Sequence, residues 1–297
     1  MALFKYVHPD RLDVLRDRQL RFTQPGALND PFELRPRFES LISESEGLKG
    51  LAATPNDFEP MLRHAYSMLS EEQRSLLPYE RAVAFFNAVV STPEAKASIS
   101  TSLVEYLRSL NDAAPRLREQ LYEVLNAHVG ILSLSEVPDD VLMWAHYADN
   151  HRGMVLDFDE QHAFFTGRRS ATDEFFHLRK VVYGDLALAR SLSTVNRDAF
   201  LISKGQQWAY EREWRMLAPL KDATRSISVS NDSVHLFGFP AQALLSVTLG
   251  ARATTELESA VSTLCAAAPL NHVCVQRAVL DLDGQRVRVS WARGSGA

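Results

Sequence analysis

The sequence predicts an α+β fold, a mixed and largely antiparallel sheet body interrupted by a mostly helical insertion. Three observations predict it. Short stretches of period-two apolar alternation, each ended by Gly, Pro, Asn or Asp, occur in both the N-terminal and the C-terminal parts. Between about Leu41 and His128 the pattern changes to helical spacing. After Leu244 a strand–helix–strand rhythm follows. At 297 residues and 46% hydrophobic, the chain is long enough for one elaborated domain, and 1–297 reads as a single one.

The elements follow in order. Leu3 to Val7 is a short strand, punctuated by His8-Pro9-Asp10. Leu12 and Leu15 share one face of a short helix over Asp10 to Gln19. Leu20 to Thr23 alternates as a second strand. Gln24 to Glu33 carries two prolines, a glycine and Asn29-Asp30, so it forms a structured loop. In the insertion, Phe58, Met61, Leu62 and Ala65 mark a helix started by Thr54-Pro55. Further helices cover Glu80–Val90 and Pro115–Ala127. Val129 to Ser135 returns to strand, and Pro138-Asp139-Asp140 opens a helix with core stripe Val141, Trp144, Ala145 and Ala148. Gly153–Phe158 and Lys180–Tyr183 are strands, Ser191–Gln207 is helical, and Trp214–Ala218 is extended. Leu244–Leu249 is a strand ended by Gly250, and Thr255 with Glu258 matches a capping box. His272–Leu280 and Gln285–Trp291 read as two strands of a hairpin turning at Asp283-Gly284. The tail Arg293–Ala297 reads as frayed.

Charge narrows the function classes. The 32 basic and 37 acidic residues leave a net charge of −5, and no run of five like charges occurs. That argues against a nonspecific grip on nucleic acid or on an anionic membrane. No apolar window reaches transmembrane length, and the N-terminus lacks the apolar core of a signal peptide. With only Cys265 and Cys274, a cytoplasmic, reducing compartment is expected. Zinc spacings, the P-loop, the Rossmann fingerprint and the nucleophile elbow are all missing from the sequence, and no metal is expected.

Three constellations carry candidate chemistry. The densest is Trp208-Ala-Tyr-Glu-Arg-Glu-Trp-Arg215, where a strand would set Glu211, Glu213 and Arg215 on one face and Trp214 on the other. One carboxylate would stabilise a cationic sugar or act as a base, with Arg215 holding it. A solvated edge with surface ion pairs is the plain structural alternative. The second is Ser133-Leu-Ser135-Glu136 followed by Met143-Trp-Ala-His146-Tyr147, where His146 and Tyr147 lie off the apolar stripe. The third is the Asn29-Asp30-Pro-Phe-Glu33 loop, a turn-former or a ligand-closing segment beside Lys5 and Tyr6.

These motifs together resemble a large bacterial family known only as a domain of unknown function. The resemblance rests on Leu28-Asn-Asp-Pro-Phe-Glu33, Leu142-Met-Trp-Ala-His-Tyr-Ala148, Gly153–Phe158 and Trp208–Arg215, in that order. A more distant resemblance is to ADP-ribosyltransferases. Those enzymes place a basic residue on the first strand, then a Ser-x-Ser strand, then a Glu-x-Glu segment. Here Lys5, Ser133-Leu-Ser135 and Glu211-Arg-Glu213 stand in that order, with Lys5 and Tyr6 where the pattern has Arg or His.

The resemblance implies an NAD-dependent transferase, such as a bacterial effector, toxin or anti-phage defence component. Glu213 would stabilise the ribosyl cation and Glu211 would orient the acceptor. Ser133 or Ser135 would scaffold the pocket, and Tyr147 or Trp214 would stack on nicotinamide. Lys5, Arg21 and Arg215 are the candidate phosphate donors. NAD would be the substrate, a small-molecule nucleotide, beside an unidentified macromolecular acceptor. Two alternatives stand beside it. One is a metal-dependent nuclease or hydrolase using Asp30, Glu33, Glu211, Glu213 and His146. The other is a noncatalytic binding module.

Overall fold

A computed structural model describes residues 2–42, 59–168, 170–184, 189–192, 197–229 and 232–289. The expected helix start at Thr54-Pro55, the last residues of the expected final strand and the tail from Arg293 lie outside these residues. The fold is α+β with a mixed, largely antiparallel seven-stranded sheet. The chain divides into two compact units. One comprises Met1–Arg35, Leu121–Leu186 and Asn196–Ala297, and the other Pro36–Gln120 and Ala187–Val195.

In chain order the elements are β1 (Ala2–Val7), α1 (Asp13–Asp17), β2 (Gln19–Phe22), β3 (Phe38–Ser40), α2 (Glu59–Ser67) and α3 (Glu71–Leu76). Next come α4 (Tyr79–Val90), α5 (Pro93–Asn111), α6 (Ala114–His128), β4 (Val129–Ser135), α7 (Val141–Tyr147) and β5 (Met154–Asp159). Four short strands follow with a helix among them: β6 (Leu178–Lys180), β7 (Val182–Tyr183), β8 (Ala189–Ser191), α8 (Arg197–Ile202) and β9 (Ser203–Lys204). The chain ends in β10 (Glu213–Pro219), β11 (Arg225–Val229), β12 (Asp232–Gly238), β13 (Leu244–Leu249), α9 (Thr255–Ala266), β14 (Cys274–Arg277), β15 (Val279–Asp281) and β16 (Arg286–Arg288).

The main sheet runs β14-β13-β5-β1-β4-β10-β6, and only β13–β14 is parallel among its pairs. Opposed residues of antiparallel strands share a face. Leu132 and Leu134 of β4 lie opposite Met216 and Trp214 of β10, and pack in the largest apolar cluster with Leu3, Val7, Leu156 and Phe158. On the other face Ile131, Ser133 and Ser135 lie opposite Leu217, Arg215 and Glu213. That face is apolar at Ile131 and Leu217, where Leu34 packs, and polar beyond.

The sheet forks. β1 pairs with β5 over six residues but with β4 only at Phe4–Ser135. Beyond that point β4 is bridged instead by Thr23, whose backbone exchanges two hydrogen bonds with Ile131 at 2.8 and 2.9 Å. The side chains of β1 and β2 therefore border an opening beside β4.

Several expectations are corrected. Ser191–Gln207 is not one helix. Six residues of α8 are followed by β9 and then a short 3-10 helix over Gln206–Glu211. Arg212 sits in the left-handed region at φ 43°, which breaks the chain between the two carboxylates. Glu211 therefore ends the 3-10 helix and only Glu213 begins the strand, so the expected shared strand face does not include Glu211. The cap of α9 is Thr254, whose hydroxyl accepts from Leu257 N at 3.2 Å, one residue before the expected Thr255. Lys180–Tyr183 is split between β6, in the main sheet, and β7, which pairs with β9. β2 belongs to a second sheet, β11-β12-β2, and the β11–β12 hairpin was not foreseen. β14 joins the main sheet, so the expected C-terminal hairpin is reduced to β15–β16.

In the other unit, α2 to α5 follow one another with short connections, and β3 pairs with β8 in parallel. Ser70 caps α3 in a reciprocal capping box with Gln73.

Candidate functional site

The opening beside β4 is a cavity of about 230 Å³. Its wall includes Lys5 and Tyr6 of β1, Arg21 of β2, Asn29 of the Pro-rich loop, and Ser133 and Ser135 of β4. Glu33 of the Pro-rich loop, Tyr147 of α7, Glu211 of the 3-10 helix and Glu213 of β10 complete the set of sequence-predicted residues on it. Four others are placed differently. Asp30 is buried, accepts from Phe32 N at 2.9 Å and is not on the wall. Arg215 is fully buried behind Glu213. Trp214 packs on the opposite face and donates its indole N–H to Glu136 at 2.8 Å. His146 is exposed, its ring edge-on to Tyr147. The expected stacking role of Trp214 and the ligand contact of His146 and Asp30 thus have no counterpart on the cavity wall.

Two wall residues organise the rest, Glu33 of the expected loop and Lys204, which was not anticipated. Lys204, on β9, is 6% exposed although it is a lysine. Its ammonium donates to Glu211 Oε2 at 2.6 Å and to Glu213 Oε2 at 2.8 Å, and stands 3.8 Å from Glu33 Oε2. It also lies 5.1 Å from the centre of the Trp208 ring. Glu33, also on the wall, pairs with Arg215. Arg215 in turn holds Glu213 through two bonds, Nε to Oε1 at 2.8 Å and Nη2 to Oε2 at 3.1 Å. A buried carboxylate needs such partners, because an isolated charge out of water costs several kcal/mol. The sequence held one signal for Lys204. Two carboxylates that must be buried together need more than one cation, and Arg215 alone does not supply it.

Local structure sets each carboxylate. Ser135 Oγ donates to Glu211 O at 2.6 Å and accepts from Val137 N at 3.0 Å, which fastens the end of the 3-10 helix to β4. Tyr147 donates its hydroxyl to Glu211 Oε1 at 2.6 Å. Glu213 N donates to Tyr183 Oη at 2.6 Å. Tyr147 is held in place by the turn that ends α7. There Asp149, Asn150 and His151 are all left-handed, at φ 45°, 53° and 69°. His151 N donates to Trp144 O at 3.3 Å, and its ring stacks on Trp144 with 5.9 Å between centres.

Electrostatics divides the wall. Burial pushes the Glu213 carboxyl up, opposed by Lys204 and by a hydrogen bond from Ser133. Lys204 is the reverse case. Burial would lower it, but Glu213 and Glu211 outweigh that and raise it above the ordinary lysine value. Burial pulls Arg215 down to about 9 while Asp30 opposes the fall, so it stays charged at neutral pH. Lys5 donates to Ser133 O at 2.9 Å, where β4 is paired with β10 but not with β1. Burial lowers it to about 8, and Glu213 and Glu211 oppose the fall. Tyr147 is raised by burial and by Glu211, so its hydroxyl keeps its proton.

Lys204 bonds Glu211 and Glu213, and Arg215 bonds Glu33 and Glu213, so a cation stands between each of these pairs of acids. Among the described residues no three His, Cys, Asp or Glu side chains are placed to hold a metal ion. No helix among those residues is long and apolar enough to cross a membrane.

Comparison with known proteins adds one finding. Residues 143–216 match a family described as "Protein of unknown function (DUF2971)". That segment contains Tyr147, Lys204, Glu211, Glu213 and Arg215, but neither Lys5 nor the Ser133–Ser135 strand. Searches of curated proteins and of solved structures return no match.

Proposed function

We propose that this chain is an NAD-consuming enzyme of the ADP-ribosyltransferase kind, with the cavity beside β4 as its site. The observation that carries the reading is convergence. Lys5, Ser133 and Glu213 lie far apart in the sequence, yet β1, β4 and β10 are neighbours in one sheet and bring all three to one cavity wall. Glu211 joins them from the 3-10 helix.

The chemistry suits those groups. When the nicotinamide–ribose bond breaks, both bonding electrons leave with nicotinamide and the sugar carbon becomes cationic. A fixed carboxylate beside that carbon lowers the barrier. Glu213 is such a carboxylate, since Lys204 and Arg215 hold its oxygens and Tyr183 Oη accepts from its backbone N–H. Glu211, at the end of the 3-10 helix, would orient the acceptor, which bonds to the sugar carbon and gives up a proton. The cavity lies below the ~300–1,000 Å³ of sites that enclose a drug-sized ligand. It suits a ring and a sugar, with the rest of the dinucleotide outside it.

The test is incubation with labelled NAD, following nicotinamide release and label transfer, for wild type and Glu213→Gln. Wild type should release nicotinamide, and Glu213→Gln should slow release by about 100-fold or more. Ser133→Ala serves as a second variant if loss of the Glu213 charge unsettles the fold. Wild-type protein that neither releases nicotinamide nor transfers label overturns the reading. A noncatalytic nucleotide-binding role is the second reading. It is favoured by the pairing of Glu211 and Glu213 with Lys204, Tyr147 and Arg215. It predicts NAD binding in calorimetry with no turnover.

A further inference from the structure

A second cavity, of about 170 Å³, lies beside the first. The two share Lys5, Tyr6, Arg21 and Thr23, so they meet along the β1 and β2 side chains. Their chemistry is opposite. The first has Glu33, Glu211 and Glu213 on its wall. The second is lined by Lys5, His8, Arg11 and Arg21 among apolar neighbours, and no carboxylate contributes to its wall. In a chain of net charge −5 such a wall is locally unusual.

We infer that this second cavity is an anion subsite that takes the pyrophosphate of a nucleotide whose sugar end occupies the first. Arg11 is the residue best prepared for the task. It is half-buried, and Asp13 already fixes its planar group with two bonds, from Nε at 2.9 Å and from Nη2 at 3.1 Å. A guanidinium oriented in this way loses little freedom on meeting a phosphate. His8 is set by the turn after β1, where its Nδ1 accepts from Asp10 N at 3.3 Å. The carboxylate that pairs with Arg11, Asp13, is not part of the cavity wall. Lys5 stands at the junction on both walls and is half-buried. Its ammonium, lowered to about 8 by burial, gains most from an anion beside it. A ligand with phosphates at one end and a sugar carbon that turns cationic at the other matches the two cavities in order. That match rests on the function proposed above, whereas the anion subsite does not.

The experiment is calorimetric titration of the full chain with inorganic pyrophosphate, with NAD and with nicotinamide riboside, which has no phosphate. Wild type is compared with Arg11→Ala and Arg11→Lys. Arg11→Ala should weaken pyrophosphate and NAD roughly tenfold each, the loss of one charge-assisted contact, and leave the riboside unchanged. Arg11→Lys should recover part of the loss. Added salt should weaken pyrophosphate binding in wild type more than in Arg11→Ala. If pyrophosphate binding depends on Arg11 but NAD does not bind, the subsite stands and the NAD reading falls. Wild type that ignores pyrophosphate, or an Arg11→Ala chain of unchanged melting temperature that binds it as tightly as wild type, overturns the subsite.

Discussion

Lys204 has the largest predicted effect of any single side chain at the site. Removing a buried ion whose partners stay behind costs about 3–5 kcal/mol, since the carboxylates are left uncompensated. Lys204→Met should therefore lower unfolding stability by about 3 kcal/mol or more. The exposed pair of Lys180 with Glu136, at 2.6 Å, supplies the contrast, and Lys180→Met should cost under about 1 kcal/mol. Urea unfolding of the two variants checks both values, and equal losses would refute the argument from burial. At this scale the sequence was legible in kind and less so in partnership. The charged and aromatic density of Trp208–Arg215 marks the site, because such residues rarely cluster without a buried role. What the pattern cannot show is who neutralises whom. Lys204 is nine positions before Glu213 and on a different element, and it reaches the carboxylates only through the pairing of β9 with β7. Trp214 and Arg215 were legible as alternating faces of a strand, but which face borders the cavity depends on what packs against β10.

At the scale of elements, the strands of the main sheet that alternate most regularly were readable to within a residue or two, whereas β11 and β12 were missed. Val129–Ser135 and Leu244–Leu249 coincide with β4 and β13. Both carry apolar side chains on the buried face and run into a bend or a turn. The two- and three-residue strands β3, β8 and β9 had no such signal, because their pairing is decided by neighbours distant in sequence. The Glu211–Glu213 segment was misread as one strand for a local reason. The left-handed Arg212 leaves no trace in hydrophobic periodicity. The cap of α9 offers a direct measurement. Thr254→Ala should destabilise the chain by about 1 kcal/mol, whereas Thr255→Ala, at an exposed position inside the helix where Ala is the better helix former, should leave it unchanged or a few tenths more stable. Thermal denaturation of the pair distinguishes the two positions, and the reverse order would contradict the observed hydrogen bond.

Across the whole molecule, stability should be uneven. β4 is flanked by β1 and β10 and is nearly all buried, whereas the residues of α3 are exposed along its length. Amide hydrogen exchange should be slowest in β4 and β5 and faster by orders of magnitude in α3. Comparable protection in both would contradict this picture. The mixture of α and β segments was legible because hydrophobic period tracks element type. The fork between β1 and β4 was not, since it depends on where β2 crosses.

That fork also bears on how the chain is made. β1 spans residues 2–7, and its two sheet neighbours are β4 and β5, the latter ending at residue 159. During synthesis at about 5–20 residues per second, the strand bearing Lys5 leaves the ribosome about 8–30 s before both of its partners exist. Throughout that interval Leu3, Phe4, Tyr6 and Val7, all buried in the finished protein, have no sheet to join. The nascent chain therefore carries an unmatched apolar edge, the kind of segment that holding chaperones capture, until β4 and β5 have both been made.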